Sequence, residues 1–426
     1  MEHLLVILSL VILGYALVSA LIPRTIVTGP MLFVAVGIAL HQLAAESIKT
    51  DAGVLLESVA ELTLVILLFT DASRINTGAL RRELGFPIRL LGLGLPLTIL
   101  LGAIIAKIVL PEFSWWEAAL LSSILAPTDA ALGQAVVSSS NVPLRIRQAL
   151  NVESGLNDGI AVPFVLLFAS LASVHPEAQT VGEWLTFWTK QVTLGPLAGV
   201  MVGLVGGRII EAATKRHWVT ESFMKLSGVA IAVLAWAGAN AIGGNGFIAA
   251  FICGMTIGVS TSCVKPSIQE FGETEGQLLS LTAFLLFGAA FVLPAMADAT
   301  PMIWCYAILS LTLIRMIPVA ISLMGSGARL TTTTFVAWFG PRGLASLIFA
   351  LLVIHEYEFA HHDQLLTTAM LTVTLSVFLH GATAVPGAYL YARSLDSSTE
   401  HPEVTEHALR HRHDQIAKPS SSRQND

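Results

Sequence analysis

The stretch Gln148–Phe168 reads QALNVESGLNDGIAVPFVLLF and carries Glu153, Ser154, Asn157 and Asp158 inside a largely apolar run. Helical spacing puts Glu153 and Asn157 on one face, and Ser154 with Asp158 on the neighbouring one. A hydroxyl and a carboxylate one turn apart offer oxygen ligands to a small, hard cation. A second segment, LLSSILAPTDAALGQAVV, has Pro127, Thr128 and Asp129 in the middle of an apolar run. Proline removes a backbone donor and breaks the helix there. The Thr128 hydroxyl and the freed carbonyls are expected to complete the ligand shell around Asp158. Asp129 has two open readings, as a cap on the second half-helix or as a direct ion contact. Glu153 needs a cation, and Arg342, in the interrupted segment TFVAWFGPRGLASLIFALL, is the expected partner in a structural ion pair. Asp71 closes the run LTLVILLFTDASRIN, either as an interfacial acid near Arg74 or at the rim of a cation funnel. Arg315 is expected to neutralise an acid or to snorkel to the interface. Ser154 is not read as a hydrolytic nucleophile. The chain has no G-x-S-x-G elbow around it, and no helix-buried histidine is placed as its base.

These residues must be positioned by elements that a bilayer selects. Only 12% of the 426 residues are charged and 54% are hydrophobic, with a formal net charge of −6. Mean hydropathy is +0.74. Soluble domains carry roughly a quarter charged residues, so this chain cannot cover a water-facing surface. Nothing in the charge balance suggests a nucleic-acid partner. Cys253, Cys263 and Cys305 have neither metal-ligand nor disulfide spacing and read as packing residues. The expected fold is an all-α polytopic membrane protein of about thirteen transmembrane helices. Expected spans include 4–22, which reads as a first membrane helix rather than a cleaved signal, 54–71 (the third), 116–138 (the fifth), 146–170 (the sixth), 331–354 (the twelfth) and 365–391. A basic amphipathic stretch around 73–84 is expected at the interface.

The fifth and twelfth spans are interrupted in comparable ways, which suits inverted repeats over about 1–170 and 223–393. Paired broken segments in two halves point to a transporter site. Arginine and lysine crowd into alternate connections, so the N-terminus is expected outside and the C-terminus in the cytoplasm. Residues 1–393 then form the membrane domain, with no soluble enzyme domain fused to it. Residues 394–426 read as a disordered cytoplasmic tail whose four histidines are expected to be solvated, with metal binding or pH sensing as the alternative.

The motifs NVESGLNDGIAVP, APTDAALG and FGPRGLASL resemble, in the same order, the conserved segments of NhaP-type and NHE-type sodium–proton antiporters. The likeness runs over essentially all of residues 1–393. It implies a thirteen-helix fold with a dimer domain and a six-helix core domain, in a homodimer. By motif, Asp158 matches the shared cation and proton site, flanked by Ser154, Asn157 and Thr128. Glu153 and Arg342 match the structural ion pair, and Asp71 matches a helix-three acid. The expected activity is electroneutral exchange of Na⁺, and also Li⁺, for H⁺ across the cell inner membrane, without a cofactor. The alternatives are K⁺/H⁺ antiport and, further off, a sodium-coupled symporter of related architecture.

Overall fold

The computed structural model describes residues 2–22, 25–43, 46–73, 85–139, 141–174, 181–262 and 264–396. The regular elements among them are all helical. In chain order they are α1 (Glu2–Val18), α2 (Gly29–Leu43), α3 (Glu46–Ser73), α4 (Gly85–Val109), α5 (Trp115–Ile124), α6 (Ala130–Val137), α7 (Leu144–Ala172), α8 (Val181–Lys215), α9 (Glu221–Ala241), α10 (Gly246–Ser260), α11 (Pro266–Asp298), α12 (Pro301–Ser322), α13 (Leu330–Trp338), α14 (Leu344–Glu356) and α15 (His362–Asp396). Seven of these stretches are long and apolar enough to cross a bilayer unaided. The amphipathic segment expected around 73–84 and the tail beyond Asp396 lie outside the described residues.

The outer surface confirms the solvent. Leu10, Leu17, Ile108, Met201, Ile209 and Leu330 are all more than half exposed. An apolar surface of this kind would aggregate in water, whereas lipid solvates it. Inside, α3 packs against α10, which in turn packs against α8 and α9. Gly254 permits this approach, since a Cβ there would overlap the Phe69 carbonyl of α3. Helices α4, α5, α7, α12 and α15 form a second set of neighbours around the two interruptions.

Both interrupted helices are broken where the sequence indicates. A capping box opens α5: Ser114 Oγ accepts from the Glu117 N–H at 3.1 Å, and Glu117 Oε2 accepts from the Ser114 N–H at 2.8 Å. The helix stops at Leu125, just ahead of Pro127, and α6 resumes at Ala130. The second break runs from Phe339 to Gly343, around Pro341. The two breaks meet: the Asp129 N–H donates to the Pro341 carbonyl at 2.8 Å.

Candidate functional site

Unwinding a helix inside a protein leaves N–H and C=O groups that need partners. Here the two breaks largely satisfy each other. Asp129 is the N-cap of α6, with Oδ1 accepting from the Leu132 N–H at 3.1 Å. Its Oδ2 accepts from the Leu344 N–H at 2.7 Å, the first residue of α14. One carboxylate therefore closes the N-termini of both second half-helices, where their dipoles favour negative charge. These are the bonds of a cap, and Asp129 also lines a cavity together with Asp158. Gly343 makes room for it, because a Cβ at that position would overlap Asp129 Oδ2.

Arg342 supplies the opposite charge at the crossing. Its side chain donates through Nη1 to the carbonyls of Ala126 and Pro127, the latter at 3.1 Å. It is fully buried. The expected Glu153–Arg342 pair is corrected here. Glu153 pairs instead with Arg315 of α12, Oε1 to Nη2 at 2.5 Å, both side chains no more than 3% exposed. The physical reason is that Arg342 is drawn to the carbonyls released by the α5–α6 break, leaving the carboxylate of α7 to the arginine of α12. Arg342 remains within electrostatic reach of both members of the pair. Of the two readings of Arg315, neutralising an acid is the one that holds.

Thr128 lies beside α7, as its spacing suggests. Asn157 Nδ2 donates to Thr128 Oγ1 at 2.6 Å, and Thr128 Oγ1 is 3.0 Å from Ser154 Oγ. These three side chains form a connected chain between the break and α7. The Asn157 Oδ1 and Asp158 Oδ1 atoms are buried and take no hydrogen bond.

Asp158 lies on the wall of a cavity of about 480 Å³, and Asp71 and Asp129 line the same cavity. Both acids act electrostatically on Asp158. The Thr128, Ser154 and Asn157 chain is not part of that wall. Among the described residues, no three His, Cys, Asp or Glu side chains close into a metal-ligand cluster. Five polar lining residues escaped the sequence reading: Thr70, Gln134, Asn151, Gln277 and Ser280. Asn151 had a usable signal, since Asn151, Gly155 and Asp158 recur at i, i+4 and i+7 along one stripe of α7. A second oversight is His380 of α15, 1% exposed. Its ring bonds Trp338 and Ser376, whereas Ser154 bonds Thr128, so His380 is not placed as a base for Ser154.

A family model described as sodium/hydrogen exchanger, transmembrane, matches residues 7–388. The chain belongs to that family. Within the exchanger family, the curated relatives it resembles include the K(+)/H(+) antiporter NhaP of Alkalimonas amylolytica. That likeness is 27% identity over 305 residues, covering 69% of this chain and 50% of the relative. The K(+)/H(+) antiporter NhaP2 of Shewanella sp. (strain ANA-3) is 25% identical over 330 residues, 75% of this chain and 55% of the relative. The Na(+)/H(+) antiporter 2 of Zygosaccharomyces rouxii is 28% identical over 269 residues, 58% of this chain and 32% of the relative. The exchanger chain thus spans about half the length, or less, of these relatives. Its fold matches the sodium proton antiporter MjNhaP1 of Methanocaldococcus jannaschii at pH 8, with a TM-score of 0.74 and 20% identity. That match covers 92% of this chain and 98% of the other.

Proposed function

We propose that this chain exchanges a monovalent cation for a proton, one for one, at Asp158. The observation that carries the reading is the difference between two carboxylates on one cavity. Asp129 has both oxygens engaged by helix N-termini, whereas the Asp158 Oδ1 is buried without a hydrogen bond. A carboxylate in that setting needs a counter-charge, and either a proton or an alkali cation supplies it. Competition for one group is sufficient for exchange, because binding of either species requires the other to leave. The oxygen atoms of Ser154, Thr128 and Asn157, off the cavity wall in this conformation, are of the kind that suits a hard cation that has shed part of its water. Asp71, on the same wall, is read as a rim acid that holds cations near the site.

Sodium is the preferred cation in this reading, with lithium accepted. A second reading, K⁺/H⁺ exchange, is favoured by the names of the bacterial relatives, whereas the yeast relative is named for Na⁺. We read the chain as a homodimer of the cell inner membrane, with inverted repeats over about 1–170 and 223–393. Its N-terminus lies outside and its C-terminus in the cytoplasm, as the alternating basic connections indicate. Alternating access follows if the crossed breaks move together against the α3, α8, α9 and α10 set.

The test uses proteoliposomes that hold a preformed pH gradient and a pH-sensitive dye. Adding Na⁺, Li⁺ or K⁺ in turn should dequench the dye, and the cation that acts at the lowest concentration names the substrate. Asp158→Asn should abolish the response while leaving the protein folded. Cation uptake without proton movement would replace antiport with symport or channel activity.

A further inference from the structure

The antiport reading leaves a buried histidine and serine of α15 without a task. Ser376 and His380 are a helical i, i+4 pair, 0% and 1% exposed. They touch both edges of the second break. The Arg342 N–H donates to Ser376 Oγ at 2.6 Å. His380 Nε2 lies 3.0 Å from the carbonyl of Trp338, the last residue of α13. His380 Nδ1 lies 3.1 Å from Ser376 Oγ and 3.2 Å from the Ser376 carbonyl.

The chemistry of these partners favours one tautomer. A carbonyl only accepts, so the nitrogen facing Trp338 must carry the proton. Nδ1 also faces a carbonyl, that of Ser376 at 3.2 Å, but there the Ser376 hydroxyl at 3.1 Å can donate to it, whereas Nε2 at 3.0 Å from the Trp338 carbonyl has no such hydroxyl beside it. A charged ring would add a third buried cation to Arg342 and Arg315, both of which act on it electrostatically, with Glu153 already paired to Arg315. The remaining arrangement is a neutral ring with Nε2–H, accepting at Nδ1 from the Ser376 hydroxyl. Ser376 Oγ in turn accepts from the Arg342 N–H, so every donor in the relay has one acceptor.

We propose that Ser376 and His380 are positioning residues for the cation site, acting through Arg342 and Thr128. They hold the backbone at residues 338 and 342 at a fixed spacing. The Arg342 side chain then holds the carbonyls of Ala126 and Pro127. The next residue, Thr128, bonds Ser154 and Asn157 beside Asp158. Trp338 reinforces the clamp, donating from Nε1 to Thr383 Oγ1 of α15 at 3.0 Å. The pair touches neither cation nor proton. This role rests on the antiport reading for its effect on transport, but not for its effect on the backbone.

The experiment compares His380→Ala, His380→Gln and Ser376→Ala in the full chain, by two measurements. The first is hydrogen–deuterium exchange of the peptides covering 125–130 and 338–344 in detergent, which needs no transport. His380→Ala and Ser376→Ala should accelerate exchange in both peptides by roughly fivefold, the loss of one net hydrogen bond. Glutamine places an N–H where Nε2 stood and should restore near wild-type protection. The second is the half-saturation concentration for the transported cation. It should rise roughly fivefold in His380→Ala while the rate at saturating cation holds. On a Thr128→Ala background, His380→Ala should add little, because both act on the same ligand group.

Unchanged protection at 125–130 in His380→Ala would overturn the relay to the first break. Additive effects with Thr128→Ala would overturn action through Thr128. If His380→Ala does not fold, Ser376→Ala and His380→Gln still decide, since the first should resemble the predicted loss and the second the wild type. A His380→Gln protein as loose as Ser376→Ala would overturn the Nε2–H assignment. Exchange activity that survives Asp158→Asn would overturn the antiport reading alone, and the deuterium result would still judge the clamp.

Discussion

The pairing of Glu153 with Arg315 makes a sharp prediction, because a different arginine was the natural choice from the sequence. Both groups are nearly inaccessible and 2.5 Å apart. Removing one partner from such a pair strands the other, at a cost of about 3–5 kcal/mol. Arg315→Met should therefore destabilise the protein by that amount, and Glu153→Gln by a similar one. The double variant strands neither charge, so its loss should fall well short of the sum. The shortfall is the coupling, expected at about 2–3 kcal/mol for directly bonded charges. Arg342→Met should also destabilise, since it deprives two carbonyls of a charged donor, each such bond contributing about 1.5–3 kcal/mol. Its coupling to Glu153→Gln should nonetheless stay below about 1 kcal/mol, because the two do not bond. The assay is denaturant titration in mixed micelles, with free energies compared at one fixed composition. Strong coupling of Glu153 to Arg342 together with weak coupling to Arg315 would refute the assignment.

Further outcomes follow from the crossing and the cavity. Gly343→Ala would push a methyl group into Asp129 Oδ2 and should lower the melting temperature, with a loss of about 1–3 kcal/mol as the Leu344 N–H loses its acceptor. The half-saturation constant for the cation should fall as pH rises, since protons compete for Asp158, and should level off once the proton no longer occupies the site. A value independent of pH in liposome assays would separate the two sites. Exchange should be electroneutral, because Asn157 cannot titrate and Asp129 is held as a double cap. Potential-driven Na⁺ uptake, imposed with a potassium ionophore and no pH gradient, would contradict this.

The fold was largely legible because the bilayer enforces long apolar runs, and because Pro127 and Pro341 announce the breaks. The helix boundaries were less so. The apolar run ended the third span at 54–71, whereas α3 spans Glu46–Ser73, since a helix continues past its lipid-buried part. Spacing placed Ser154 and Asp158 one turn apart on α7, but only Asp158 lies on the cavity wall, while Ser154 bonds Thr128. Pairing across helices was not legible. Nothing in the spacing of Arg315 and Arg342 says which of them faces Glu153, because that depends on where the carbonyls of Ala126 and Pro127 are released. Ser376 and His380 were missed for the same reason. Along α15 they look like ordinary interior polar residues among Thr368, Thr372 and Thr374, and only the position of the broken segment gives them partners.

Asp129 has a consequence for how any movement through this protein can occur. Its two oxygens hold one N–H from each of two helices that are far apart in the chain, and its own N–H holds the Pro341 carbonyl. Three constraints at one residue remove the freedom of either half-helix to slide alone. Sliding would leave the N–H groups at the helix N-termini without their acceptor. The crossing is thus a rivet rather than a hinge: α6 and α14 travel together or not at all. The two breaks would then keep one relative placement through any rearrangement of the protein, and whatever changes must change around them.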